Sequence, residues 1–149
     1  MAKTLGYMIT WTTYGTWLQG DERGYVKDGK IHPRNKALLQ TNKQSQLQNV
    51  VKLSKLQQQL VREAILKEAV LQGQCIYALV VQPTHLHIVA GYVSQPIGKI
   101  VVYYKKAGRL ALKALGHTGK LWTRGYDKRF CFDEVILEQK IKYVQSHNK

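Results

Sequence analysis

Two histidines separated by one residue, His85 and His87, form the most distinctive short motif of the chain. They stand in an apolar run that favours a β-strand, and on a strand residues i and i+2 point to the same face. Both imidazoles would project in one direction, at a spacing that suits two ligands of one metal ion. The alternative is that they are two polar residues on a solvated strand face.

A second group of reactive side chains lies further along the sequence, where Tyr143 and His147 are four residues apart. On a helix this spacing places both on one face, so His147 is a candidate third metal ligand. A tyrosine hydroxyl beside such an ion can attack phosphorus and form a phosphotyrosine bond, while the ion acts as a Lewis acid on the phosphodiester. The alternatives are an aromatic residue at the core rim for Tyr143 and a frayed terminal residue for His147.

The formal net charge is +14, from 23 lysines and arginines against 9 aspartates and glutamates in 149 residues. Such an excess indicates a polyanionic partner, most often a nucleic acid and less often an anionic membrane surface. Lys105, Arg109 and Lys113 are spaced four residues apart and would form one basic face of a helix. The alternative for this face is that it is simply solvated. The residues that we expect to contact a nucleic acid are Lys105, Lys106, Arg109, Lys113, Trp122, Arg124, Arg129 and Lys140.

The elements that must position these groups follow from hydrophobic periodicity. Strands are predicted at residues 7–14, at 75–82 and 85–92 as a hairpin, and at 121–124 and 129–132. Helices are predicted at about 48–72, 96–115 and 133–148, and a long loop follows residue 20 to about residue 46. This order indicates one domain, 1–149, with a ferredoxin-like α+β sandwich: an antiparallel central sheet with helices on one face.

The composition also argues against several classes of protein. Cys75 and Cys131 lie far apart in apolar contexts, which fits neither a disulfide framework nor a zinc ribbon. The sequence has no signal-peptide pattern and no run of about 20 apolar residues. We therefore expect a cytoplasmic protein that has no membrane partner.

Several of these features together resemble the single-tyrosine HUH transposases, and within them the REP-associated tyrosine transposase branch. They are the His-Leu-His strand after Pro83, the basic helix, the segment 121–126, the final helix with Tyr143, and the run 10–18. The resemblance implies single-stranded or hairpin DNA as partner, Mg or Mn as cofactor, and cleavage and rejoining through a 5′-phosphotyrosine. It also implies a monomer or a homodimer.

The same resemblance implies a role for each site residue. His85 and His87 match the two HUH metal ligands, and Tyr143 matches the nucleophile. His147 stands where the family usually has a glutamine or asparagine one turn after the tyrosine, and an imidazole can also bind such ions.

Two other functions remain open at this stage. One is a ferredoxin-like module that binds single-stranded DNA or RNA without chemistry, although such modules read bases with aromatic residues on their central strands. Here the corresponding strand carries His85 and His87 instead. The other is an inactive, domesticated transposase that retains DNA binding.

Overall fold

The sheet is built around β1 (Gly6–Thr12), which is paired along both of its edges. This computed structural model describes residues 3–16 and 50–148, so the predicted loop at 20–46 lies outside the described residues. Within them, β2 (Ile76–Val81), β3 (His85–Gly91) and β4 (Asp127–Cys131) complete a four-stranded sheet in the order β2-β3-β1-β4. Every neighbouring pair is antiparallel. The ferredoxin-like prediction is confirmed.

The first described helix, α1 (Lys55–Gln72), has clear boundary signals in its sequence. Ser54 and Gln57 form a capping box, in which each side chain satisfies a backbone amide of the other. Gly73 ends the helix in the left-handed conformation, with φ of 67°, which glycine adopts without steric cost. The predicted start near residue 48 was too early, because the chain reaches the helix only after Leu53 bonds to Pro83.

Two more helices follow along the described chain. The helix α2 (Ile97–Lys113) begins after Pro96, as its sequence predicts. The helix α3 (Glu134–Gln145) is capped at its N-terminus by Asp133, whose carboxylate accepts a 2.8 Å hydrogen bond from the amide of Ile136. A 3₁₀ turn, Ser146–Asn148, continues directly from α3.

The two faces of the sheet have separate cores, because alternate residues of β1 point in opposite directions. Ile9 and Trp11 belong to the larger core, which α1 and α2 cover. Met8 belongs to the smaller core, which includes Val144 of α3. The prediction of helices on one face therefore holds for α1 and α2, whereas α3 lies on the opposite face, the same face as the side chain of His87.

The segment 121–124 does not form the predicted strand. It makes one isolated bridge between Thr13 and Trp122, and β4 begins only at Asp127. Gly125 separates the two with φ of 90°, a conformation that interrupts regular pairing. Among the described residues, no helix is both long and apolar enough to span a membrane.

Candidate active site

The two histidines of β3 lie side by side on the face of the sheet that α3 covers. In the strand register His87 is opposite Thr10 and His85 is opposite Thr12. The centroids of their imidazole rings are 5.2 Å apart, and His87 is buried with 8% of its surface exposed. The alternative of two solvated polar residues therefore does not apply to His87.

Each of these rings is held through its Nδ1 atom. The Oγ1 of Thr10 lies 2.8 Å from Nδ1 of His87, and the Oγ1 of Thr84 lies 3.3 Å from Nδ1 of His85. A hydroxyl that accepts the Nδ1 proton fixes the tautomer whose Nε2 lone pair is free for a ligand. Thr10 was not recognised in the sequence as a site residue, although its alternation with Trp11 places it on this face.

The protonation of the pair follows from its surroundings. Burial, reinforced by the nearby imidazoles of His85 and His147, lowers the pKa of His87 to about 4. Burial and then the charge of His147 also lower the pKa of His85. Both rings are therefore neutral at neutral pH, which is the form that binds metal ions.

The helix α3 and its 3₁₀ turn bring Tyr143 and His147 to this pair. The ring of His87 lies 5.8 Å from that of Tyr143 and 5.1 Å from that of His147, measured between centroids. The rings of Tyr143 and His147 are 4.6 Å apart. Tyr143 is 48% exposed, so part of this residue faces solvent.

The position of His147 is fixed at two points. Its Nδ1 lies 2.8 Å from the carbonyl oxygen of Tyr143, and its own carbonyl accepts a 2.9 Å hydrogen bond from Nε2 of Gln82. Gln82 follows β2 directly, so this bond ties the end of α3 to the hairpin that carries the histidines. A frayed terminal residue, the alternative for His147, does not describe this arrangement.

The ring spacing is compatible with a shared ion. Two imidazoles that bind one ion through nitrogen at about 2.1 Å have centroids about 5 Å apart, close to the spacings of His87 from His85 and His147. As the side chains stand, no three histidine, cysteine, aspartate or glutamate residues in the described part of the chain complete a ligand group. With Nδ1 of His85 and of His87 engaged by hydroxyls and both rings neutral, Nε2 is the nitrogen of each ring that remains for a ligand.

Lys105 and Trp122, which we expected to contact DNA, are engaged within the protein. The Nζ of Lys105 donates to the carbonyls of Thr123 at 3.0 Å and Gly125 at 2.8 Å, and Trp122 Nε1 donates to the Lys105 carbonyl at 2.9 Å. Burial lowers the pKa of Lys105. The Oγ1 of Thr123 bonds in turn to the carbonyl of Thr13 at 2.7 Å. The bonds of Lys105 hold the turn 123–125 against α2, and the bond of Thr123 holds it against the end of β1.

The other predicted DNA contacts lie nearer the surface, and their binding of DNA stays a prediction. Arg129 pairs with Asp127 at 3.2 Å in an exposed salt bridge, which contributes little stability. Lys140 is half-buried beside Cys131, where it opposes the rise that burial causes in the pKa of the thiol. Four other members of the set are also exposed, namely Lys106, Arg109, Lys113 and Arg124.

The strand order and the three helices define a ferredoxin-like α+β domain with imidazoles and a tyrosine gathered on one face of its sheet. Among solved structures, the chain is similar to a REP-associated tyrosine transposase bound to a REP hairpin. That match has a TM-score of 0.61 and 15% identity, and it covers 99% of this chain and 68% of the other.

A second similar structure is a protein from Deinococcus radiodurans R1 described as a candidate transposase. Its TM-score is 0.52 at 17% identity, and the match covers 98% of this chain and 92% of that one. No family model and no curated protein sequence matches the chain. At these identities the likeness establishes the shared fold.

Proposed function

We propose that this protein is a transposase that cleaves and rejoins single-stranded DNA, with Tyr143 as the nucleophile and a divalent ion, Mg or Mn, held by His85, His87 and His147. The observation that carries the proposal is the meeting of Tyr143 with the imidazoles of His87 and His147, within 5.8 Å between centroids. The fold shared with a transposase structure that holds a DNA hairpin supports it.

The reaction would proceed through the tyrosine hydroxyl. The Oη of Tyr143 loses its proton and attacks phosphorus, and the bond between phosphorus and the 3′ oxygen breaks. The departing 3′ oxygen takes up a proton, and the 5′ phosphate stays on Tyr143. Attack by a 3′ hydroxyl on this phosphotyrosine reverses the step, so the strands rejoin without an external energy source.

The remaining residues of the site would orient these partners. The neutral rings of His85 and His87 would hold the ion through Nε2, and Thr10 and Thr84 would keep the rings in that orientation. When bound, a divalent ion polarises the phosphodiester and stabilises charge on its oxygens. The bond from Gln82 to the carbonyl of His147 would keep the turn after α3 against the hairpin. The nucleophile and the metal ligands would then face the same phosphate of the substrate.

The test is formation of a covalent adduct with a labelled single-stranded DNA hairpin in the presence of Mn²⁺. We expect the wild-type protein to form a denaturant-resistant adduct and Tyr143→Phe to form none, because only the attacking oxygen is removed. Tyr92→Phe is the matched control, since Tyr92 is another exposed tyrosine. An adduct formed equally by Tyr143→Phe would exclude this nucleophile. DNA binding without any wild-type adduct would favour the non-catalytic binding module or the inactive transposase.

A further inference from the structure

A polar cavity lies between α1 and the edge strand β2, on the opposite side of the sheet from the histidine cluster. Its volume is about 300 Å³, and its lining residues are Lys55, Gln58, Gln59, Arg62 and Val81. Two of the five are cations and none is an acid. The first turn of α1 also has no acidic residue.

Within the described part of the chain, no carboxylate forms a salt bridge with the two cations of this cavity. Nη1 of Arg62 donates to the carbonyl of Leu79, which is neutral and orients the guanidinium. Among residues 3–16 and 50–148, neither Lys55 nor Arg62 forms a salt bridge. A guanidinium has five N–H donors, so Arg62 retains donors for an anion in the cavity.

The strand register places the cavity close to the candidate active site. Val81 pairs with Leu86, the residue between the two histidines. The neighbouring Val80 faces the opposite side, in the core of α3, and Gln82 bonds to the carbonyl of His147. The cavity therefore lies on the α1 side of the edge strand β2, and the imidazoles lie on the α3 side of the sheet, near the same end of β2.

We propose that this cavity binds a backbone phosphate of the DNA strand that is held at the histidine cluster, at a point where the strand has passed around the edge of β2. The choice of DNA as the ligand rests on the proposed function. The choice of this place rests on the two cations of the cavity, which form no salt bridge among the described residues, and on the strand register. A polynucleotide carries a negative charge on every nucleotide. A strand held at the histidines therefore has further phosphates that can reach the cavity around the edge of β2. Lys55 and Arg62 then form a second phosphate-binding site, which positions the strand and takes no part in bond breaking.

The test measures the affinity of metal-free protein for a labelled single strand of about 20 nucleotides by fluorescence anisotropy over a range of salt concentrations. The variants are Lys55→Glu, which changes an exposed side chain, and Arg62→Gln, which keeps an N–H donor for Leu79. Lys67→Glu is the control, because it changes the same charge at another exposed position of α1.

We expect Lys55→Glu and Arg62→Gln each to weaken binding about tenfold and to lower the slope of log K against log salt by about 0.7, the value for one phosphate on a single strand. Lys67→Glu should stay within about twofold of the wild type. Equal effects of Lys55→Glu and Lys67→Glu would overturn the site, since only overall charge would matter. The adduct assay separates the two proposals: a wild-type adduct with no Lys55 effect overturns the cavity alone, and a Lys55 effect without an adduct overturns the chemistry alone.

Discussion

The hydroxyl of Thr10 lies 2.8 Å from Nδ1 of His87, although the two residues are 77 positions apart in the sequence. Both side chains are buried, and the register of β1 and β3 places them directly opposite each other. The bond therefore connects the central strand of the sheet to the most buried imidazole of the candidate site.

Thr10→Val should weaken the binding of Mn²⁺ because the His87 ring loses the partner that fixes its tautomer. Loss of such a partner costs about 10-fold to 100-fold in metal affinity, and isothermal titration calorimetry measures it. Thr12→Val is the control, since the Thr12 hydroxyl bonds to the carbonyl of Thr16 on the same face. Equal affinities of the two variants would show that Thr10 does not position His87.

Replacement of His147 tests the third ligand. His147→Ala should lower both Mn²⁺ affinity and the rate of adduct formation by at least about tenfold, whereas His147→Gln should retain more of both, because an amide oxygen can also bind the ion. The bond from Gln82 reaches the backbone carbonyl of His147, so both variants keep it. If alanine and glutamine behave alike and bind Mn²⁺ as the wild type does, His147 is not a ligand.

Lys105→Met should destabilise the protein, because two carbonyls of the turn 123–125 lose a charged donor. Hydrogen bonds to charged groups typically contribute about 1.5–3 kcal/mol, so we expect a loss of unfolding free energy in that range in urea denaturation. Lys106→Met, at an exposed position of α2, should change it by less than about 0.5 kcal/mol. A Lys105 variant as stable as the Lys106 variant would contradict the structural role.

The stability of the metal-free protein should depend on pH through His87. Its folded pKa of about 4 lies below its ordinary value near 6.5, so below pH 6.5 the unfolded chain takes up a proton that the folded protein resists. The free energy of unfolding is therefore unaffected by this group above about pH 6.5, and it falls as the pH drops from 6.5 towards 4. Urea denaturation in EDTA should show a steeper loss for the wild type than for His87→Gln. If the free energies of unfolding of the two proteins fall in parallel with decreasing pH, burial of this imidazole does not cause the loss of stability in acid.

Much of the fold could be predicted from local sequence alone. The hairpin of β2 and β3 and the three helices follow from apolar periodicity, and the alternation of β3 already places His85 and His87 on one face. The position of α3 on the opposite face from α1 and α2 could not be predicted from the sequence. It depends on long-range packing, in which Val144 of α3 joins the same core as Met8 of β1.

The candidate site shows the same division between local and long-range information. The spacing of Tyr143 and His147 predicted their shared face, yet their approach to His87 depends on long-range packing. The spacing of Lys105 and Arg109 on α2 likewise predicted a common basic surface. It could not show that the carbonyls of Thr123 and Gly125 approach Lys105 and use its donors.

The pairing of β1 on both edges has a consequence for the energetics of metal uptake. Thr10, which holds His87, stands on the one strand that is bonded to β3 and β4 alike. The imidazole is thus preorganised before any ion arrives, and little chain ordering has to accompany coordination. Metal binding should accordingly show a small heat-capacity change, unlike that of a site which folds around its ion.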